Sequence, residues 1–87
     1  MTAIRAGDRI VVLELETGDR HLVEADGKGA RKEKGLGIVD PGRWVGTTWG
    51  ARVEVAGKPC RLLPPTLPDL TATLRRKAQV ILPKDMS

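Results

Sequence analysis

The chain has 87 residues, enough for one small domain, and a domain of this size has a core of marginal stability. Phe and Tyr are absent, so Val, Ile, Leu and Ala must form most of the core, and no run approaches the about 20 apolar residues of a membrane span. The formal net charge of +4 and the pI near 9.7 suit a polyanionic partner such as RNA, DNA or an acidic membrane surface.

The first half of the chain predicts short strands joined by turns. Residues 9–15 (RIVVLEL) are apolar and β-branched, and residues 20–25 alternate between apolar and polar side chains. Residues 16–19 (ETGD) between them have turn chemistry, so the two segments predict a hairpin. Residues 26–34 (DGKGARKEK) predict a mobile charged loop, and residues 35–39 predict a third short strand.

A second hairpin and a helix are predicted further along. After a turn at residues 40–42, residues 52–55 and 59–63 read as strands around the turn Ala56-Gly57-Lys58. Pro64 and Pro65 end the sheet because neither residue can donate to a strand ladder.

Thr66 and Asp69 form a capping-box-like pair, and Leu67, Leu70 and Leu74 follow at helical spacing, which predicts a helix over residues 67–76. Residues 78–82 (AQVIL) predict one more extended segment. We therefore expect a mainly β fold, a small curled sheet or barrel of about five to six short strands with one short C-terminal helix. The domain would span residues 1–65, and residues 66–87 would form the helix and a linker toward a further domain.

Residues that could carry out catalysis are scarce. Ser87 is the single serine, which excludes a serine-based triad, and Cys60 and His21 are each the single residue of their type. Cys60 lies in an apolar run and is expected to be a small buried residue in a reducing cytoplasm. The carboxylates Glu14 and Glu16 share one strand face, where a solvated edge is expected.

The glycine-rich stretches of the chain also do not match a loop that binds a nucleotide or S-adenosylmethionine. Gly27-Lys28-Gly29 and Gly35-Leu36-Gly37 approach such a motif, but no helix-forming run follows either of them. The sequence therefore predicts no metal and no cofactor site within these residues.

Four short motifs follow one another in the second half of the chain: 42–46 (GRWVG), 49–50 (WG), 62–70 (LLPPTLPDL) and 75–85 (RRKAQVILPKD). Their order resembles the archaeal and actinobacterial tRNA (adenine-58-N1)-methyltransferases, and the last motif is the most specific. The family often has a His-rich segment where this chain has 31–37 (RKEKGLG), and an aromatic residue where it has Leu82.

The resemblance implies a non-catalytic N-terminal β-domain that binds tRNA and contributes to a tetrameric assembly. In that family the stretch resembling 75–85 leads into a Rossmann-like domain that binds S-adenosylmethionine. The resemblance therefore implies that the full-length protein binds S-adenosylmethionine and tRNA. It also implies that these residues contact a catalytic domain of the same protein and that the protein forms a homo-oligomer. The expected location is the cytoplasm, with no membrane partner.

Two groups of residues are the candidates for RNA contact: Arg75, Arg76, Lys77, Gln79 and Lys84 near the C-terminus, and Arg31, Lys32 and Lys34 in the charged segment. The alternative for the first group is that its cations only stabilise the helix end. Trp44 and Trp49 could stack on bases, but burial is favoured because the chain has no other aromatic residue.

Two other functions stay open. The chain could be a stand-alone basic β-barrel that binds RNA with no enzyme attached. It could also be an oligomerisation module whose positive charge is incidental.

Overall fold

The computed structural model describes residues 2–25 and 31–72. Six strands in this part form two antiparallel sheets. The strands are β1 (Arg9–Glu14), β2 (Arg20–Glu24), β3 (Arg31–Glu33), β4 (Gly37–Val39), β5 (Arg52–Val55) and β6 (Lys58–Leu63). A short 3₁₀ helix, Pro41–Trp44, follows β4, and an α-helix begins at residue 67.

The larger sheet has the strand order β2-β1-β6-β5, and β3 pairs with β4 in the smaller one. Both predicted hairpins form, since β1 pairs with β2 and β5 pairs with β6. The prediction of a mainly β fold with about six short strands and a helix after the sheet is confirmed. Its barrel form is not found, because the strands of the described residues divide between two sheets and do not close into one.

The four-stranded sheet has an inner face that forms the core and an outer face. Side chains alternate between the faces along each strand. The inner face carries the buried Ile10, Val12, Val23 and Leu62. Leu36 of the β3–β4 turn and Val39 of β4 join the same core cluster, so the β3–β4 hairpin covers the inner face. This arrangement leaves the outer face to the helix and the solvent.

The two tryptophans contribute to this core. Trp44 and Trp49 are both half-buried and pack against the core cluster. Their position favours burial over base stacking, because each ring supplies apolar area that the chain cannot obtain from Phe or Tyr.

The expectation of a loop over residues 26–34 is wrong for part of that segment. Residues 31–33 form β3, in the register Arg31↔Val39, Lys32↔Ile38 and Glu33↔Gly37. The buried Leu36 and Val39 hold the hairpin on the core, and the charged strand pairs along it although its own side chains gain little burial. Residues 26–30 lie outside the described part.

The helix begins where the capping box predicts. The Thr66 backbone N–H and hydroxyl each donate to Asp69 Oδ2 at 2.8 Å, while the Asp69 backbone N–H donates to Thr66 Oγ1 at 3.5 Å. The helix is described through residue 72, so its predicted end at residue 76 and the predicted segment 78–82 fall outside the described residues. Within the described ranges, no helix has the length and apolar character to cross a membrane.

Candidate nucleic-acid interface

Three of the predicted RNA-contact residues lie on the smaller sheet. Arg31 and Lys32 belong to β3 and Lys34 begins the turn that follows, and all three are exposed. Lys34 makes no ion pair or hydrogen bond with any residue of the described ranges, so its ammonium group is available to a phosphate.

The other predicted contact residues, Arg75, Arg76, Lys77, Gln79 and Lys84, lie outside the described part of the chain. The distribution of charge in the sequence supports their selection as candidates for RNA contact. The described ranges contain ten Lys and Arg against nine Asp and Glu, whereas residues 73–87 contain four Lys and Arg against Asp85 alone. Most of the net positive charge therefore belongs to the C-terminal segment, and the β-domain itself is close to neutral.

A buried ionic network lies on the inner face of the large sheet. Glu14, at the end of β1, is 4% exposed, and His21 Nε2 lies 2.6 Å from its Oε2 atom. Lys58 Nζ lies 3.7 Å from Glu14 Oε1 and also donates to the Gly35 carbonyl oxygen. The expectation that Glu14 lies on a solvated edge is wrong, because β1 turns this carboxylate toward the core; Glu16, beyond the strand end, is exposed.

The network keeps a buried carboxylate ionised. The hydrogen bond with His21 lowers the pKa of Glu14, and Lys58 lowers it further, against the opposing effect of burial. Because Lys58 also contacts the turn before β4, the network ties three strands of the large sheet to the β3–β4 hairpin.

Gly35 is required at this point of closest approach. Its φ of +85° suits glycine, and a Cβ atom here would lie 3.4 Å from His21 Cε1 and 3.7 Å from Glu14 Oε2. A larger residue would therefore be strained in its backbone, although its Cβ atom would make ordinary van der Waals contacts with the network. This close contact is how the hairpin shields Glu14 from solvent.

The same cluster offers metal-ligand atoms, which lie on Glu14, Asp19 and His21 within 4.8 Å of one another. Two features make a structural ion network the better assignment. The His21 and Glu14 atoms in question already bond to each other, and the Lys58 ammonium group beside Glu14 would repel a cation.

A second ionic contact joins the sheet to the helix. Arg20 on β2 donates from Nε to Asp69 Oδ1 at 2.9 Å and from Nη2 to Oδ2 at 2.8 Å, a bidentate pair between residues 49 positions apart. The Arg20 guanidinium, followed by the Thr66 backbone N–H, holds the pKa of the Asp69 carboxyl well below its usual range. The residue that caps the helix thus also fixes its first turn to the sheet.

A cleft of about 320 Å³ opens beside this contact, at the edge of β2. Its lining includes Leu22 of β2, Lys34 of the hairpin turn, and Pro68 and Ala72 of the helix. Lys34, one of the predicted hairpin cations, and the described start of the helix therefore lie at one edge of the domain.

The structure shows where the single cysteine and one of the two glycine-rich stretches lie. Cys60 is buried, and burial raises the pKa of its thiol, as expected for a core residue rather than a nucleophile. Gly35-Leu36-Gly37 leads into β4 and not into a helix, so it does not fit a loop that cradles S-adenosylmethionine. Within the described ranges, the charged surface is therefore the candidate functional feature.

No protein-family model matches the chain, and no curated protein matches it. Among solved structures, the chain is similar to a SAM-dependent O-methyltransferase from Thermotoga maritima, with a TM-score of 0.69 and 20% sequence identity. The match covers 84% of this chain and 27% of the other, so this chain spans about a quarter of that protein's length. At this identity the likeness shows that the fold is shared.

Proposed function

We propose that this chain is the non-catalytic, RNA-binding N-terminal domain of a cytoplasmic, S-adenosylmethionine-dependent tRNA adenine-N1 methyltransferase. The observation that carries the proposal is the shared fold: 84% of the chain matches 27% of a chain named as a SAM-dependent methyltransferase. A small β-domain that recurs inside a larger enzyme of this kind supports an accessory role beside a catalytic domain.

The choice of tRNA as substrate rests on two further observations. The motif 75–85 (RRKAQVILPKD) resembles the tRNA adenine-N1 enzymes, and it is also the most basic part of the chain. The exposed Arg31, Lys32 and Lys34 add positive charge on the hairpin. The structural neighbour is an O-methyltransferase, but the acceptor atom is chosen where the methyl donor is bound, which would be in another domain.

In this proposal the chain supplies affinity and the other domain supplies chemistry. Lys and Arg side chains attract the phosphate backbone without reading bases, so the domain would hold tRNA while the catalytic domain selects the adenine. The full-length protein would bind S-adenosylmethionine through residues other than those described and would assemble as a homo-oligomer.

The test begins with the polypeptide made from the native gene. We expect its mass to be several times 9.4 kDa, and we expect it to transfer a labelled methyl group to N1 of adenine in tRNA. The 87-residue chain should bind tRNA with a Kd of about 10⁻⁴ to 10⁻⁶ M and steep salt dependence, and should transfer no methyl group. Salt-insensitive binding, or methyl transfer by the 87-residue chain, would contradict the proposal.

An oligomerisation module is the second candidate, and one surface favours it. Ile38 is 70% exposed and lines an open groove of about 400 Å³ together with the half-buried Trp44 and Val53. If assembly is the main role, sedimentation should give a concentration-dependent dimer or tetramer that Ile38→Asp dissociates. A monomeric chain at high concentration would remove this candidate.

A further inference from the structure

Three arginines lie in one row across the outer face of the large sheet, although they are far apart in the sequence. The strand register pairs Leu13 with both Arg20 and Arg61, and Arg61 with Arg52. Directly paired residues send their side chains to the same face of a sheet. One line of side chains therefore crosses all four strands. We call it the arginine row, and its members in order are Arg20, Leu13, Arg61 and Arg52.

One end of the row carries exposed positive charge. Arg52 and Arg61 are exposed, and neither forms an ion pair within the described ranges. Arg61 donates from Nη1 to the Gly50 carbonyl oxygen at 3.0 Å, which leaves most of its guanidinium N–H groups open. Arg20, at the other end, is held by Asp69.

The pairing of Arg52 with Arg61 carries an electrostatic cost. Like charges directly opposite each other in an antiparallel pair lie about 4.5–5.5 Å apart at Cβ and destabilise the sheet. A phosphate between the two guanidinium groups would remove the repulsion and accept hydrogen bonds from both. A bound anion is thus the natural complement of this part of the surface.

The described start of the helix lies on the same outer face. Val11 lies on this face and is fully buried, yet it does not belong to the core cluster on the inner face. It lines the cleft with Pro68 and Ala72, so the first turns of the helix lie beside it. The arginine row and the start of residues 67–87 consequently share one side of the domain.

We propose that the arginine row, with Arg52 and Arg61 as its phosphate-binding groups, is the surface that holds the RNA backbone; this inference rests on the proposed function and assigns it to particular residues. Arg52 and Arg61 lie on adjacent strands, about 4.7–4.9 Å apart, so their guanidinium groups can share one phosphate or contact two neighbouring ones. Of the row's other two members, Arg20 is held by Asp69 and Leu13 is aliphatic, so the row offers charge to the backbone and no group that reads a base.

The experiment compares two charge-reversed variants of the full 87-residue chain. Arg52→Glu/Arg61→Glu changes the row, and Arg5→Glu/Arg43→Glu makes the same change in net charge at exposed positions outside the sheet. Binding of fluorescently labelled tRNA is measured by anisotropy between 50 and 300 mM salt, with circular dichroism melts to confirm folding. Arg52→Gln/Arg61→Gln is included because it removes the charge without introducing a carboxylate.

We expect the row variants to weaken tRNA binding at least about tenfold more than the control, and to lower the slope of log K against log salt by roughly 1 to 2. If wild type binds tRNA and the row variant and its matched control lose tRNA affinity equally, the arginine row is not the RNA-binding surface. That outcome would leave the proposed function unaffected. No tRNA binding by wild type would overturn both. Unchanged tRNA binding with lost binding to phosphatidylserine vesicles would assign the row to a membrane and also overturn the proposal.

Discussion

At the scale of single residues, Glu14 links strands of the large sheet through His21 and Lys58. Its carboxylate is buried between His21 and Lys58, and its side chain is 5% exposed. A buried charge is tolerated where hydrogen bonds and opposite charges replace water, and both are present here. Glu14 therefore holds the hairpin in place rather than performing chemistry.

Replacement of Glu14 should destabilise the fold far more than replacement of Glu16. Glu14→Ala leaves His21 without its partner and Lys58 with the Gly35 carbonyl alone, whereas Glu16 is exposed. Thermal melts should give a clearly lower Tm for Glu14→Ala and an unchanged Tm for Glu16→Ala. Equal Tm values for the two variants would mean that the network does not stabilise the domain.

The lowered carboxyl pKa values predict how stability depends on pH. Glu14 and Asp69 have pKa values below their ordinary 4.5 and 3.8 in the folded chain, so the unfolded chain binds protons first as the solution is acidified. Their contribution is present above about pH 5 and is lost as the pH falls below the ordinary values. We expect a falling Tm below about pH 4.5, with a shallower fall in Glu14→Gln and Asp69→Asn.

At the scale of elements, the β5–β6 turn contains a strained residue. Ala56 has a φ of +52° and Gly57 a φ of +80°, and a two-residue turn with both values positive matches the twist of an antiparallel hairpin. Glycine adopts this region freely, whereas alanine does so at a cost.

Ala56→Asn should therefore stabilise the hairpin by about 1 kcal/mol and raise Tm by roughly 4–8 °C, since asparagine tolerates positive φ. Gly57→Ala is the matched opposite change: no neighbour blocks a Cβ atom there, so its destabilisation would report backbone strain alone. Melts of both variants decide the point, and a lower Tm for Ala56→Asn would contradict this account of the turn.

At the scale of the whole molecule, the β-domain is nearly neutral, and most of the net positive charge belongs to the segment that follows it in the sequence. Residues 73–87 hold four of the fifteen Lys and Arg residues and one of the eleven Asp and Glu residues. Two surfaces could thus contribute to RNA affinity, the arginine row and the C-terminal cations, and they should act additively if they contact separate phosphates.

Arg75→Gln/Arg76→Gln should lower the slope of log K against log salt for tRNA by about 1 to 2, because roughly one counterion is released per phosphate contact. Arg5→Gln/Arg43→Gln removes the same charge from exposed positions of the β-domain and serves as the control. A change in slope no larger than that of the control would favour the alternative that the C-terminal cations only stabilise the helix end.

Local features of the fold could be predicted because their causes are local. The hairpin 9–25, the hairpin 52–63 and the capping box of Thr66 and Asp69 each depend on residues close together in the chain. β3 could not be predicted, since the charged residues 31–33 pair only because Leu36 and Val39 are buried in a core built from distant strands. The burial of Glu14 was missed for the same reason: its partners Lys58 and Gly35 come from other elements.

Composition, spacing and capping chemistry were enough to determine a mainly β domain, a helix after residue 66, a buried Cys60 and a basic C-terminal segment. The tertiary structure alone decided that the strands form two sheets, that Arg20 holds Asp69 across 49 residues, and that Arg52, Arg61 and Arg20 lie in one row. The physical reason is strand register. The alternation of side chains within a strand can be predicted from the sequence. The residue opposite each position depends on which strands pair and on the register that the turns between them impose.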